Sequence, residues 1–208
     1  MKAFTPTLTA TTFVLPVRDL LAVWNATSKE EVRYYLGGVF IDVADGAITM
    51  TATTGAILLT KGVDPRSHVG SATLTQENGF ILKVDVLEKA LKSNNLANLW
   101  MHGDTETGII QTFHLDDSLE VEQYRTGVCE FERIDGTFPE WRRVLPLETK
   151  EISRVNVDIH LLTAFQKVCK LYAIKGVSFK AGASERDPIK VDFPEVEGLT
   201  GVVMPYNI

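Results

Sequence analysis

The sequence predicts an α+β protein made of three repeats of one unit: a strand, an amphipathic helix and several antiparallel strands, with one helix per unit laid on a sheet. Apolar residues recur at helical spacing in three stretches that start roughly 70 residues apart, a long period for a repeat. Around each stretch the period changes to two and is broken by turn residues such as Asp45-Gly46. The second and third stretches also open alike, with Val84-Asp85-Val86 and Val157-Asp158-Ile159.

In the first helical stretch, VLPVRDLLAVWNA, residues Val17, Leu20, Leu21 and Trp24 share a face, and Pro16 takes the first helical position, where its missing N–H is no loss. The strands that follow run through YYLGGVFIDVADGAITMTATTGAILLT, where alternation puts Tyr34 and Tyr35 on opposite faces. The second helix opens on Asp85 with Glu88 three residues on, a capping box, and continues through Val86, Leu87, Ala90 and Leu91. LANLWMHGDTETGIIQTFHL reads as two strands around a Gly-Asp turn. Asp158 caps the third helix, whose stripe is Leu161, Leu162, Phe165, Val168 and Cys169. KGVSFKAGASERDPIKVDF closes the unit as a strand pair around a polar tip. With helices on one face of the sheet, the other face is left to solvent or to a subunit contact.

The chain has 208 residues, 45% hydrophobic and 23% charged, as in folded soluble proteins. Two cysteines make no disulfide framework, so a cytoplasmic location fits. The stretch MKAFTPTLTATT lacks the apolar core of a signal peptide, and no apolar run reaches the roughly 18 residues that cross a membrane. A net charge of −6 excludes a protein basic all over but leaves room for a local basic stripe. Lys89 and Lys92 share a face of the second helix, Lys167 and Lys170 share one of the third, and Arg18 is the basic residue of the first. Such rows are either solvated faces or phosphate contacts that add salt-sensitive, sequence-independent affinity.

Signals of catalysis are weak. His102, Asp104 and Glu106 alternate in MHGDTETG, but no second histidine stands nearby. Cys129 and Cys169 lack the surroundings of a nucleophile, and Cys169 falls on an apolar stripe. No Gly-rich phosphate loop joins a strand to a helix. The expectation is therefore a protein that is no enzyme and takes no cofactor or metal; a metal-dependent hydrolase using His102 is the weakest reading.

One segment follows neither period. GTFPEWRRVLP, residues 136–146, packs two prolines, two arginines, a Phe and a Trp into what should be a linker. With VRYYLGGVFIDV (32–43), ATTGAILL (52–59) and GVVMPYNI (201–208), it resembles the bacterial DNA sliding clamp, the beta subunit of DNA polymerase III. The stretches occur in the family's order, and 136–146 matches nearly residue for residue. The resemblance implies a DNA-clamp-like fold in which helices line a bore around duplex DNA and sheets form the outer wall. It also implies a processivity factor without catalytic activity. Residues 1–135 resemble the family's middle domain in both halves, 136–150 its connector, and 151–208 the latter half of its last domain, which implies a shortened clamp.

The resemblance further implies a peptide-binding pocket that receives motifs of the Gln-Leu-x-Leu-Phe type from polymerase, clamp loader or repair proteins. Carried over by position, its walls are Leu36, Thr53, Gly55 and Leu58; Pro139, Arg143 and Val144; and Val202, Met204, Pro205 and Tyr206. The first wall departs from the family: Thr54-Gly55-Ala56-Ile57-Leu58 stands where Asp-Gly-His-Arg-Leu is usual, which leaves a more apolar pocket. Arg142 and Arg143 must reach water or a carboxylate, since an unpaired buried guanidinium is costly. Double-stranded DNA would meet Arg18, Arg33, Tyr34, Tyr35, Lys89, Lys92, Lys167 and Lys170, with Arg33 on a phosphate and a tyrosine stacked on a base. A family-type bore uses twelve helices, so chains of three imply a homo-oligomer, dimer or tetramer, in which unpaired third units complete each other. The alternative is a non-encircling module that binds or sequesters clamp-interacting proteins.

Overall fold

The computed structural model describes residues 11–44, 47–63, 68–69, 79–83, 96–101, 107–114, 124–146, 156–182, 184 and 186–206. Its strands are β1 (Thr11–Pro16), β2 (Val39–Ala44), β3 (Ala47–Thr53), β4 (Ile57–Val63), β5 (His68–Val69), β6 (Phe80–Leu82), β7 (Leu96–Met101), β8 (Thr107–His114), β9 (Tyr124–Ile134), β10 (Ser178–Lys180), β11 (Ile189–Asp192) and β12 (Leu199–Val203). The described helices are α1 (Val17–Trp24) and α2 (Leu162–Tyr172), with 3₁₀ turns at Glu31–Leu36 and Trp141–Val144. The helix expected to carry Lys89 and Lys92 lies outside the described residues, as do Asp45-Gly46 and the His102, Asp104 and Glu106 group.

The strands form one antiparallel sheet in the order β10-β11-β12-β4-β3-β2-β6-β9-β8-β7-β1-β5. An antiparallel sheet under segregated helices is the α+β layering the periodicities call for. Pro16 is the last residue of β1, opposite Leu96, and not the first of the helix. Its ψ of 119° is extended, and the helix starts at Val17. Asp158 is not the cap expected of it: the N-cap of α2 is Leu161, with no side-chain hydrogen bond, and the Asp158 carboxylate accepts the His160 N–H at 2.9 Å in the turn that precedes the helix.

Alternation along the strands sorts the core. Ile41, Met50, Leu59, Leu82, Val191 and Val203 point to the helix face and pack with Val17, Leu20 and Val23 of α1 and Phe165 and Val168 of α2. Both helices thus share one core. The third unit, expected to need another chain to complete its sheet, instead pairs β12 with β4 over Leu199–Val203 and Ile57–Lys61. Across the helix contact the Tyr172 hydroxyl donates to Asp19 at 2.6 Å, and Lys61 approaches the same carboxylate at 3.7 Å. Burial and the Asp19 carboxylate both raise the Tyr172 phenol far above its ordinary range, so it stays a donor.

The opposite face is not left bare. Phe40, Leu58, Ile81 and Val202 alternate onto it and pack with Leu36, Phe138 and Trp141. Segment 136–146 is therefore a strap across the outer face of β6, β2, β4 and β12. Phe138 stacks flat on Phe40, centroids 4.8 Å apart. Over these four strands this corrects the expectation of a face open to solvent or a subunit, since the aromatic surface of the segment covers it there; β10, at the sheet edge, is exposed along its length.

Candidate functional site

Two glycines shape the approach to the strap. Gly37 and Gly38 end the VRYYL stretch, which folds as the 3₁₀ turn Glu31–Leu36 and not as a strand. The Gly37 N–H donates to the Tyr34 carbonyl at 2.9 Å, and the Ser28 N–H to the Leu36 carbonyl at 2.8 Å. Alternation begins only at Val39, so the opposite-face reading of Tyr34 and Tyr35 fails on its premise. Gly38 has no space for a side chain, because a Cβ would meet the Leu82 carbonyl at 2.5 Å.

The loop between β3 and β4 is tied by its threonines. Thr53 Oγ1 donates to the Ile57 carbonyl at 2.7 Å and accepts the Gly55 N–H at 3.0 Å, while Thr54 Oγ1 accepts the N–H groups of Ala56 and Ile57 at 3.2 Å. Gly55 takes φ +91°, the left-handed region that favours glycine. The Met204 N–H reaches the Ala56 carbonyl at 2.9 Å, extending the β12–β4 ladder past Val203.

The strap is fixed by a buried charge. Arg142 Nη1 donates to Asp42 Oδ2 at 2.9 Å; the Asp42 side chain has no exposure. The Arg142 guanidinium also lies 4.2 Å from the centroid of the Trp141 ring. The adjacent arginine behaves differently: Arg143 is 80% exposed and faces Glu140 at 3.5 Å.

These three segments and the 3₁₀ turn close on a cavity of about 240 Å³. Of the residues expected to line it, Leu36, Thr53, Gly55, Leu58, Pro139, Val144, Val202 and Met204 do. Arg143, Pro205 and Tyr206 do not: Arg143 turns to solvent, and the chain beyond Met204 leaves the ladder, its Tyr206 N–H donating to the Asn156 carbonyl at 2.7 Å. Arg33 and Tyr35, expected on the DNA side, line this cavity as well, together with Ala56, Ile57, Glu140 and Trp141. The floor is apolar; Arg33 and Glu140 bring charge to the wall. Sequence reasoning missed these residues because they reach the pocket through tertiary contacts. One signal was available: the runs FIL (80–82) and AILL (56–59) are apolar without alternation, the mark of strands covered on both faces.

A second, larger groove of about 820 Å³ opens at the C-terminal end of α1. Trp24, Lys29, Glu30, Glu31, Tyr34, Lys83 and Lys167 are among its lining residues. Tyr34 is more than half exposed here, as a stacking surface requires. Lys170 is exposed on α2, and Arg18 is exposed on α1 with its guanidinium 4.9 Å from the Tyr172 ring centroid. No group of three or more metal-ligating side chains occurs among the described residues. Among them, too, no helix is long and apolar enough to cross a membrane.

No family profile matches the chain, and no curated protein matches it. Solved structures do. The DNA polymerase III beta subunit of Thermotoga maritima aligns with a TM-score of 0.66 at 13% identity, covering 100% of this chain and 68% of its own. The beta sliding clamp of C. crescentus, solved with polyethylene glycol at its putative beta-motif tethering region, gives 0.66 at 16% identity, with 100% and 68% covered. The beta subunit from Pseudomonas aeruginosa gives 0.68 at 15% identity, with 100% and 69% covered. The chain has the fold of the bacterial DNA sliding clamp and spans about two thirds of the length of these chains.

Proposed function

We propose that this protein is a clamp-like cytoplasmic tether. It associates with duplex DNA regardless of sequence, holds replication or repair proteins through short apolar peptides, and carries out no bond chemistry. The observation that supports this most is the pocket: segments 53–58, 139–144 and 202–204, far apart in sequence, meet at one apolar cavity on a sliding-clamp fold. Leu36, Leu58 and Val202 form a floor for leucine or phenylalanine side chains, each worth about 1.5–3 kcal/mol when fully buried. Two such anchors, less the cost of ordering a peptide, give roughly micromolar affinity. A labelled Gln-Leu-x-Leu-Phe peptide, titrated by fluorescence anisotropy, should bind in that range. Met204→Ala should weaken binding several-fold without unfolding, since Met204 is exposed at the rim. A folded protein that ignores a broad panel of such peptides at high micromolar concentration would sink the reading.

A second reading has its own support. The described walls of the pocket come from a single chain, so a non-encircling module that sequesters clamp-binding proteins would need no ring. Native mass separates the two: a dimer or tetramer in light scattering favours encirclement, a monomer at all concentrations favours the module.

A further inference from the structure

The turn Glu31–Leu36 is a wall shared by two cavities. Arg33, Tyr35 and Leu36 face the apolar pocket, while Glu30, Glu31 and Tyr34 face the groove beside α1. Arg33 is held from both sides. Glu30, a groove residue, takes its Nε and Nη2 at 2.8 and 2.7 Å. On the pocket side Nη1 donates to the Thr54 carbonyl at 3.4 Å, a long bond, and covers Gly55, where a Cβ would meet it at 2.8 Å. The Arg33 and Glu30 side chains are 42% and 58% exposed, so solvent screens the pair and its partners can exchange. Nearby guanidiniums are committed elsewhere: Arg142 to the buried Asp42, and Arg143 outside the pocket beside Glu140.

A chain of phosphates entering the groove would repel Glu30 and Glu31 and attract Lys29, Lys83 and Lys167 there, and would compete with Glu30 for the Arg33 guanidinium that Glu30 holds from the groove side. A carboxylate on a peptide seated in the pocket would attract the same guanidinium the other way. One side chain cannot complete both contacts.

We propose that Arg33 is a guanidinium shared between the two sites, for which a peptide carboxylate in the pocket and a nucleic-acid phosphate in the groove compete, so that each ligand weakens the other. This rests on the tether reading above and adds its regulation. Binding linkage makes the antagonism reciprocal. It is confined to peptides with an acidic residue beside their apolar anchors, because a neutral peptide uses only the floor.

The test uses the full chain and two labelled peptides, Gln-Leu-Asp-Leu-Phe and Gln-Leu-Ser-Leu-Phe, titrated by anisotropy alone, with saturating oligo(dT), and with saturating duplex. The acidic peptide should bind about 5-fold more weakly once nucleic acid is present, and the serine peptide should be unchanged. Antagonism by oligo(dT) alone assigns the groove to single strands; antagonism by duplex as well assigns it to phosphates in either form. Arg33→Gln should abolish the difference between the two peptides' responses to nucleic acid, Arg33→Lys should keep a reduced antagonism, and Glu30→Gln should strengthen both ligands. Circular dichroism checks that each variant folds. Equal acidic-peptide affinity with and without bound nucleic acid overturns the proposal, as does antagonism that survives Arg33→Gln. Failure of both peptides to bind the wild type removes the tether reading and this proposal together; binding of both without antagonism removes the proposal alone.

Discussion

Asp42 is a charged residue in the middle of β2 with no exposure, and its position is explained only from the strap. Its partner Arg142 comes from 100 residues away and is itself only partly exposed. Two further atoms of the pair, Asp42 Oδ1 and Arg142 Nη2, are buried without a hydrogen-bond partner among the described residues, so the pair is not a fully satisfied one. A pair of this kind adds little net stability, but breaking it leaves a charge stranded. Asp42→Ala should therefore cost about 3 kcal/mol, read as a lower urea midpoint with unchanged slope. Asp42→Leu with Arg142→Met should recover most of the loss, because the site then becomes apolar. Wild-type stability in Asp42→Ala would show that the ion pair does not hold the strap. Sequence could not tell which of two adjacent arginines was anchored. The 3₁₀ turn decides it by sending Arg142 toward the sheet and Arg143 into solvent.

At the scale of elements, the legible parts were those whose period their own packing enforces. Of the stripe read for the third helix, Phe165 and Val168 are buried and Leu161, Leu162 and Cys169 pack half-buried against the same core; Ala164, outside the stripe as read, is buried with them. The β10–β11 pair around a polar tip also lies where alternation placed it. Tyr34 and Tyr35 were misread because alternation was extended back across the two glycines that separate the 3₁₀ turn from the start of β2. The strap was visible as an anomaly but not as a structure, since nothing local says which sheet face its Phe and Trp will cover. Phe138→Ala should cost about 3 kcal/mol and abolish peptide binding, because Phe138 stacks on Phe40 beneath the pocket; Arg143→Ala should change stability by less than about 0.5 kcal/mol. Unfolding melts and the peptide titration read both. The β10–β11 hairpin adds a pH signature. Burial pushes the Asp192 carboxyl up, but hydrogen bonds from Lys180 at 2.6 Å and Lys190 at 3.0 Å, with their charges, outweigh it and hold the group below its ordinary value. A lowered folded-state pKa contributes stability that is present above the unfolded value of about 3.9 and lost as pH falls through the folded value. Asp192→Asn should flatten the fall in melting temperature below about pH 4; an unchanged acid limb would show that the lysine pair contributes nothing.

For the whole molecule, the decisive quantity is where positive charge collects on a chain of net −6. Long-range attraction to a polyanion cannot come from the total, so any affinity must come from a local set. The described candidates lie at the helix side: Lys167 and Lys170 are exposed on α2, and Lys29 and Lys83 line the groove with Lys167. Glu30 and Glu31 in the same groove oppose them and would keep any such binding weak, while contacts of the lysines with phosphates would make it fall with salt. Each lysine on a phosphate contributes about 0.9 to the slope of log affinity against log salt. Replacing Lys167 and Lys170 by Gln should then lower the magnitude of that slope by about 2, equally for unrelated duplex sequences. Serine-peptide binding at the pocket should not change, because neither lysine lines it. Duplex titrations at several salt concentrations measure the slope directly. An unaltered slope in the double variant would mean that the α2 face is a solvated one, and the proposed DNA association would then need residues other than those on α2.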